Sequence, residues 1–382
     1  MLNKHKKQNN MALVKYTGAA AAAPVIERNP FNDNEEREAF DQMVEETCAD
    51  TIRQRFSHNL MYKDVTPLSS VTFASKYHVY RAKKSRTNEA VVFKFKRAVH
   101  TDPAEAASEF NMNMFEAYFC KKLCTKCHPH IVQLNQVWAV RKFHEVYIEM
   151  ESCETSLAHV AIKFKNRLPL SMARRYLAQL FEALRFCHSN RIIHGDVKEE
   201  NILLSRGKIK LCDFDASRET GKDGMIPYTD EVSDRRYLPI EQLLGLSMLS
   251  AAIDVYGAGC VLVKILGGQR LATQFDTLSR QDQLDRMHVH SGPIPQWYFD
   301  NSSFPMRPSP SAETKGFSVF FESLMDRDPA GLAIDLLKRT FDFDQVMRIS
   351  SLMAINHPFF FAGGGEKEEV EELTEEDEGT AE

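Results

Sequence analysis

The segment HGDVKEEN, residues 194–201, places an aspartate two after a histidine, a lysine two after the aspartate and an asparagine three after the lysine. Twelve residues beyond Asn201, Asp213 opens a second acidic run, DFDAS. Between them NILLSRGKIKLCDF reads as strand, tight turn and strand. A hairpin returns its ends to one place, so Asp196, Asn201 and Asp213 converge on a single point. Carboxylate and amide oxygens are hard ligands, and Mg²⁺ takes a few of these together with substrate phosphates. A separate carboxylate can accept a hydroxyl proton. These parts suit phosphoryl transfer. Taken singly, each is also an ordinary turn residue, because Asp and Asn are common in loops.

The elements that must hold these groups follow from patterning. VTFASKYHVYRAK and EAVVFKFKRAV flank the turn-like KSRTNE and predict a hairpin; HIVQLNQVWAVRKFHEVYIEM predicts two more strands. Between them ASEFNMNMFEAYFCKKLC reads as a helix. After residue 152 the balance moves to helices. SMARRYLAQLFEALRFCHSN carries Met172, Tyr176, Leu177, Leu180 and Leu184 at helical spacing, and AIDVYGAGCVLVKILGG is an apolar helix stopped by a glycine pair. Residues 1–60 read as a partly disordered extension with one helical stretch carrying Phe40, Met43 and Val44. The expected plan is α+β: a small sheet-rich lobe over 61–151, a larger helical lobe over 152–362 and an acidic disordered tail over 363–382.

Charge and cysteine usage bound the partners. Of a net −5, the last twenty residues hold ten acids and one lysine, so the other 362 carry about +4. The tail reads as a solvated terminus, with protein docking as its alternative. A mildly basic body gives no strong reason to expect direct nucleic-acid binding. The eight cysteines sit mostly in apolar contexts, which suits a reducing compartment. The N-terminus is polar and no apolar run is long enough to span a membrane. A cytoplasmic or nuclear protein with no membrane partner is expected. CTKCH at 124–128 matches a haem-attachment spacing, and with Cys120 a zinc site; chance thiols at a helix end are the preferred reading.

Over about 300 residues, from 62 to 361, the chain resembles the eukaryotic protein kinases. HGDVKEEN is similar to their catalytic loop, DFD (213–215) to D-F-G and VVFK (91–94) to V-A-I-K. RRYLPIE (235–241) resembles the end of an activation segment, AIDVYGAGC the following helix, and DFDQVMRISSLMAINHPFF the family's C-terminal signature. The resemblance implies a bilobal kinase fold, ATP and Mg²⁺ as cofactors, and protein serine/threonine hydroxyls as acceptors. It makes Asp196 the base that orients the acceptor and Lys198 a contact to the γ-phosphate. Asn201 and Asp213 become metal ligands. Lys94 holds the α- and β-phosphates, with Lys96 as its rival on the same strand face and Glu116 as the partner. Val79, Val92, Met150, Leu203 and the backbone of Glu151 and Cys153 line the adenine site. Asp254 supports the catalytic loop, and Arg348 pairs with Glu241. LLGLSMLSAAID and QLDRMHVHSGPIPQWYFD further resemble the CMGC group, nearest its dual-specificity Tyr-regulated and splicing-factor branch.

The departures are as specific as the matches. TFASKYHV puts Thr72, Ala74 and Tyr77 where the phosphate loop has glycines, which let backbone amides approach phosphates closely. Gly195 stands where the family has an arginine that pairs with a phosphorylated residue. Asp215 stands where it has a flexible glycine, and as a third carboxylate would bind metal or repel ATP. Leu238 and Ile240 replace the arginine and proline of Y-R-A-P-E. The reading is an active protein Ser/Thr kinase; a pseudokinase scaffold is the second reading, and a small-molecule phosphotransferase similar to the aminoglycoside and choline kinases the third.

Overall fold

The computed structural model describes residues 38–43, 62–68, 77–98, 102–229, 236–276, 279–325, 328 and 330–362. Val44, Thr72, Ala74 and the acidic run 363–382 lie outside the described residues.

Alternating apolar residues and a polar connection make the expected hairpin: β2 (Tyr77–Lys84) pairs antiparallel with β3 (Ala90–Arg97). β1 (Tyr62–Pro67), β4 (Leu134–Val140) and β5 (Glu145–Glu151) complete a five-stranded sheet of order β1-β2-β3-β5-β4. A period of two sends Val91, Phe93 and Phe95 to one face of β3, and Val92, Lys94 and Lys96 to the other. The first face is aromatic. Phe93 packs 4.7 Å from Tyr62 and 5.8 Å from Trp138, and Phe95 stacks 4.7 Å from Tyr147. On the opposite face the register sets Lys94 beside Val79 and Ile148, and Val92 beside Met150.

Helix α1 (Pro103–Cys124) starts where Asp102 accepts hydrogen bonds from the Ala104 and Glu105 amides at 2.9 and 3.0 Å. Lys121 and Lys122 lie in its last turn, where the helix dipole favours cations. Its buried residues, among them Phe110, Met114, Phe115, Ala117, Phe119 and Leu123, are not confined to one stripe. That is the pattern of a helix covered on several sides. One cover is the helical stretch 38–43, whose Phe40 and Met43 are both buried. The Phe40 ring lies 4.9 Å from Phe115 and 5.7 Å from Tyr118.

Beyond Glu151 the chain is mainly helical, so the fold is α+β. α2 (Leu170–Ser189) buries Met172, Tyr176, Leu177, Leu180 and Leu184, the five apolar positions expected from the sequence. Each large apolar side chain so buried contributes about 1.5–3 kcal/mol, which fixes the helix's orientation in the core. α3 (Ala252–Leu266) is buried from Ile253 to Leu266 and forms the centre of this half. β6 (Ile202–Ser205) and β7 (Lys208–Leu211) make the expected tight hairpin, with Ile202 opposite Leu211. Its two ends therefore meet, and Asp213 just beyond them faces Lys94 of β3.

Candidate active site

The loop before β6 is held from below by α3. Asp254, in the first turn of α3, accepts the His194 amide on one oxygen and the Gly195 amide on the other, each at 2.8 Å. Burial alone would raise its pKa, but the His188 hydrogen bond and the nearby histidines hold it below the ordinary aspartate value. A Cβ at Gly257 would stand 2.8 Å from the Val197 carbonyl oxygen, so a glycine there lets the loop rest directly on the helix. Gly195 itself has φ +82°, and a Cβ on it would meet the Ala216 carbonyl oxygen at 2.6 Å. The absent arginine is thus matched by a backbone that excludes any side chain. His194 is fully buried; its Nε2 donates to the Cys212 carbonyl at 3.0 Å and its Nδ1 accepts the Asp196 amide at 3.3 Å. With both ring nitrogens committed to backbone, it packs the loop and carries no proton chemistry.

The three polar groups that open the sequence argument come together. Asn201 donates its side-chain amide to the Asp196 carboxylate and to the Asp196 carbonyl, both at 2.9 Å. The Asn201 carbonyl accepts the Cys212 amide at 3.0 Å, which sets Asp213 next to the pair. Lys198 Nζ lies 2.9 Å from Asp196. Burial raises the Asp196 pKa above the usual range, and the Lys198 charge only partly offsets it.

Across from this loop, β3 and α1 supply a charge cluster. Lys94 Nζ donates to Asp213 Oδ1 at 2.6 Å and lies 2.9 Å from Glu116 Oε2. Lys96 Nζ lies 3.0 Å from the same Glu116 oxygen and donates to Asp215 Oδ1 at 2.8 Å. The contact at Glu116 is an ion pair rather than a directed hydrogen bond. Glu116 is fully buried, and Lys94 and Lys96 are nearly so. Burial alone would lower the Lys94 pKa; Asp213, Glu116 and Asp215 outweigh it and hold the ammonium charged. Burial likewise opposes ionisation of Asp213, yet Lys94 and Lys96 pull its pKa far below the normal range. A permanently ionised Asp213 fits a hard divalent cation. So does Asn201, whose amide nitrogen is committed to Asp196, leaving its oxygen as the ligand atom.

Two expectations change here. Lys94 and Lys96 are not rivals, because the two-residue period puts both on the inner face and both reach Glu116. Asp215 is not a loose third carboxylate, because Lys96 neutralises it. Reading position by position against a motif missed this pair. The signal was present as a lysine at the same-face position after Lys94 and an acid two residues after Asp213.

The apolar side of the site is less polar and less charged. Val79 and Val92 are half-buried on adjacent strands, and Met150 at the end of β5 is buried. Leu203 is half-buried on β6. The Glu151 amide donates to the Gln133 carbonyl at 3.0 Å, and its carboxylate takes Lys210 and the Gln133 amide, each at 2.8 Å. Cys153 follows, its thiol pushed up to about 12 by burial and the nearby Glu151 charge. Tyr77 begins β2 opposite Lys96.

Downstream, Arg218–Glu219 pairs with Ile192–Ile193, the short strand leading into the 194–201 loop. Both oxygens of the buried Glu219 accept from Lys122 of α1 at 2.6 Å, and Arg191 lies 3.4 Å away. The end of this segment is tied back as well: Tyr237 donates to Glu199 and Arg236 to Glu200, each at 2.8 Å. Arg348 meets both oxygens of Glu241, at 2.6 and 3.0 Å, as the sequence resemblance implied.

A family model described as the protein kinase domain matches residues 75–360, well over half of the chain. Cyclin-dependent kinase G1 of Arabidopsis thaliana is 30% identical over 295 residues, covering 74% of this chain and 46% of that protein. Cyclin-dependent kinase F-3 of Oryza sativa subsp. japonica is 29% identical over 290 residues, covering 75% and 62%. Human cyclin-dependent kinase-like 5 is 29% identical over 250 residues, covering 63% and 25%. The chain thus spans between a quarter and about three-fifths of the length of these relatives, all of which carry cyclin-dependent-kinase names and support a CMGC-like placement. A lysine shared between a helix glutamate and the acid after the β6–β7 hairpin, a loop pinned by Asp254 and a family match across both halves lead to one conclusion: the chain belongs to the protein kinase family.

Proposed function

We propose that this chain is an ATP- and Mg²⁺-dependent protein Ser/Thr kinase. The observation that carries the reading is Lys94, joined at once to Glu116 of α1 and to Asp213. That link sets the sheet, the helix and the metal-binding loop in register for a polyphosphate. In this reading Lys94 holds the α- and β-phosphates. The apolar faces of Val79, Val92, Met150 and Leu203 enclose the adenine, and the backbone at Glu151 and Cys153 meets its edge. Asp213 and Asn201 would hold Mg²⁺, which supplies neutralisation of charge building on the phosphate oxygens. Asp196 orients the acceptor hydroxyl and takes its proton, a role favoured by a raised pKa. Lys198 steadies the γ-phosphate. The lobes divide as 61–151 and 152–362, with 1–60 as an extension and 363–382 as a tail open to protein docking.

Activity in this reading does not depend on a phosphorylated activation segment. Gly195 offers no cation to a phosphate, and Glu219 already bridges Lys122 and Arg191 as a fixed anion. Ser217 and Thr220 are buried, while Tyr228 and Thr229 are partly exposed; Ser233 lies outside the described residues. Phosphatase treatment is expected to leave most activity in place.

The test is a thermal-shift titration with ATP, with and without Mg²⁺, followed by transfer of the γ-phosphate to protein and small-molecule acceptors. Mg²⁺-dependent stabilisation with transfer to protein hydroxyls supports the kinase. Stabilisation without transfer supports the scaffold reading, which draws on the glycine-free TFASKY run. Transfer only to small molecules would replace both.

A further inference from the structure

The cluster around Glu116 contains two cations and three anions: Lys94, Lys96, Glu116, Asp213 and Asp215. Remove Lys96 and Asp215 together and the formal charge of the remainder is unchanged. Remove either alone and it shifts by one unit inside a mostly buried site. Lys96 is 1% exposed, so without Asp215 its ammonium turns wholly to Glu116 and competes with Lys94 there. Without Lys96, the half-exposed Asp215 loses its hydrogen-bonded cation, and the negative charge beside Asp213 grows by one unit. A buried charge deprived of its partner is strongly disfavoured.

The geometry adds direction to the charge count. Asp215 lies in the short helical turn Phe214–Ala216, directly after Asp213, whose φ of +66° is a left-handed conformation that non-glycine residues seldom adopt. Such backbone persists where neighbouring contacts over-determine it. Asp213 and Asp215 are each bonded to β3, one to Lys94 and the other to Lys96, on the same strand face. Two links two residues apart on both sides fix orientation as well as distance.

We propose that Lys96 and Asp215 are a matched positioning pair that holds the segment carrying Asp213 against β3, replacing conformational freedom at position 215 with a fixed ion pair. The proposal deepens the kinase reading and rests on it for its nucleotide readout, though not for its structural one.

The test is a double-mutant cycle on the full chain with Lys96→Met, Asp215→Gly and the two combined. Two quantities are read: hydrogen exchange of the 213–217 amides without nucleotide, and the Kd for ATP with Mg²⁺. Each single variant is expected to speed exchange and weaken ATP binding by about tenfold, and the double variant to return to within about threefold of the parent. Independent sites instead give effects that multiply to within roughly a factor of two. A double variant worse than either single, or singles that change neither quantity, overturns the proposal. Coupling in exchange with unchanged ATP affinity makes the pair structural and overturns its positioning role. If the parent binds no ATP, the kinase reading fails by itself and the exchange cycle still decides whether the pair holds the segment. Should Lys96→Met not fold, Lys96→Gln with Asp215→Asn repeats the cycle with neutral groups of similar size, judged by the same outcomes.

Discussion

Two of the charge assemblies among the described residues each set basic against acidic side chains, yet they differ in balance and closure. Arg348 spends its guanidinium on both oxygens of Glu241 and on the carbonyls of Ala252 and Asp342, each within 3.0 Å; both side chains are 1% exposed. Charge is balanced, and all three guanidinium nitrogens donate. The cluster around Glu116 has one more acid than lysine, and its acids reach toward solvent, Asp213 at 22% and Asp215 at 41% side-chain exposure. The first arrangement is closed and specifies architecture. The second is open on one side and carries surplus negative charge, which leaves room for a divalent cation and its phosphates. Burial alone does not distinguish a structural ion pair from a functional one; balance and closure do.

The largest effects should come from the open side. Asp196→Asn is expected to lower turnover by about 10²–10⁴-fold, the range for loss of a positioned base, with ATP affinity nearly unchanged. Asp213→Asn should weaken Mg²⁺-dependent ATP binding and turnover together. Calorimetry beside single-turnover transfer separates the two, and equal loss of ATP affinity in both variants would dissolve the division of labour. On the closed side, Arg348→Ala leaves Glu241 buried without its cation. A stability loss of about 3–5 kcal/mol is expected in denaturant unfolding, because the lone charge is then uncompensated. A loss under about 1 kcal/mol would mean that the pair is not closed.

Smaller is the effect of a side chain at Gly195. Its φ of +82° and the nearby Ala216 carbonyl oppose one. Gly195→Ala should cost about 1–3 kcal/mol of stability, and an unchanged melting temperature would show that the loop can yield. Next comes pH. Burial raises the Asp196 pKa in the folded state, so its proton is retained at a higher pH than in an ordinary aspartate. Asp213 is depressed, so it stays ionised in the folded state through the same window, and any stability it lends is lost progressively as pH falls from the unfolded aspartate range toward its lower folded pKa. As pH drops, kcat/KM should begin to fall above about pH 3.9, by at most tenfold per unit, while ATP affinity holds. Parallel loss of both would assign the acid limb elsewhere. The smallest effect is expected from deleting residues 363–382, a run with few apolar side chains and strong self-repulsion. The melting temperature should stay within about 2 °C, and a larger drop would place the tail against the basic body.

Much of this was legible in the sequence where local pattern and chemistry coincide. The β6–β7 hairpin brought Asp196, Asn201 and Asp213 together as its turn residues implied. Five apolar positions of α2 read correctly because a one-sided stripe has a clear period. α1 gave a weaker signal, since a helix covered on several sides shows no single stripe; Glu116 was reached through the family resemblance rather than the helix's own pattern, and it lies 2.9 Å from Lys94. The Lys96–Asp215 pair was hidden by a separation of 119 residues, and matching each position to a motif scored one residue as a rival and the other as a defect. Gly195 was legible as a missing arginine but not as a left-handed backbone, because residue type alone does not give φ. The Glu219 bridge needed three elements brought together by tertiary folding.

The high pKa of Cys153 bears on chemical probes of this site. Burial and the nearby Glu151 charge raise this thiol, so little of it is thiolate at neutral pH, and the thiolate is the nucleophile. An electrophile brought to Cys153 would therefore find a thiol slow to alkylate. Selective covalent capture would need a compound that brings its own base to the sulfur.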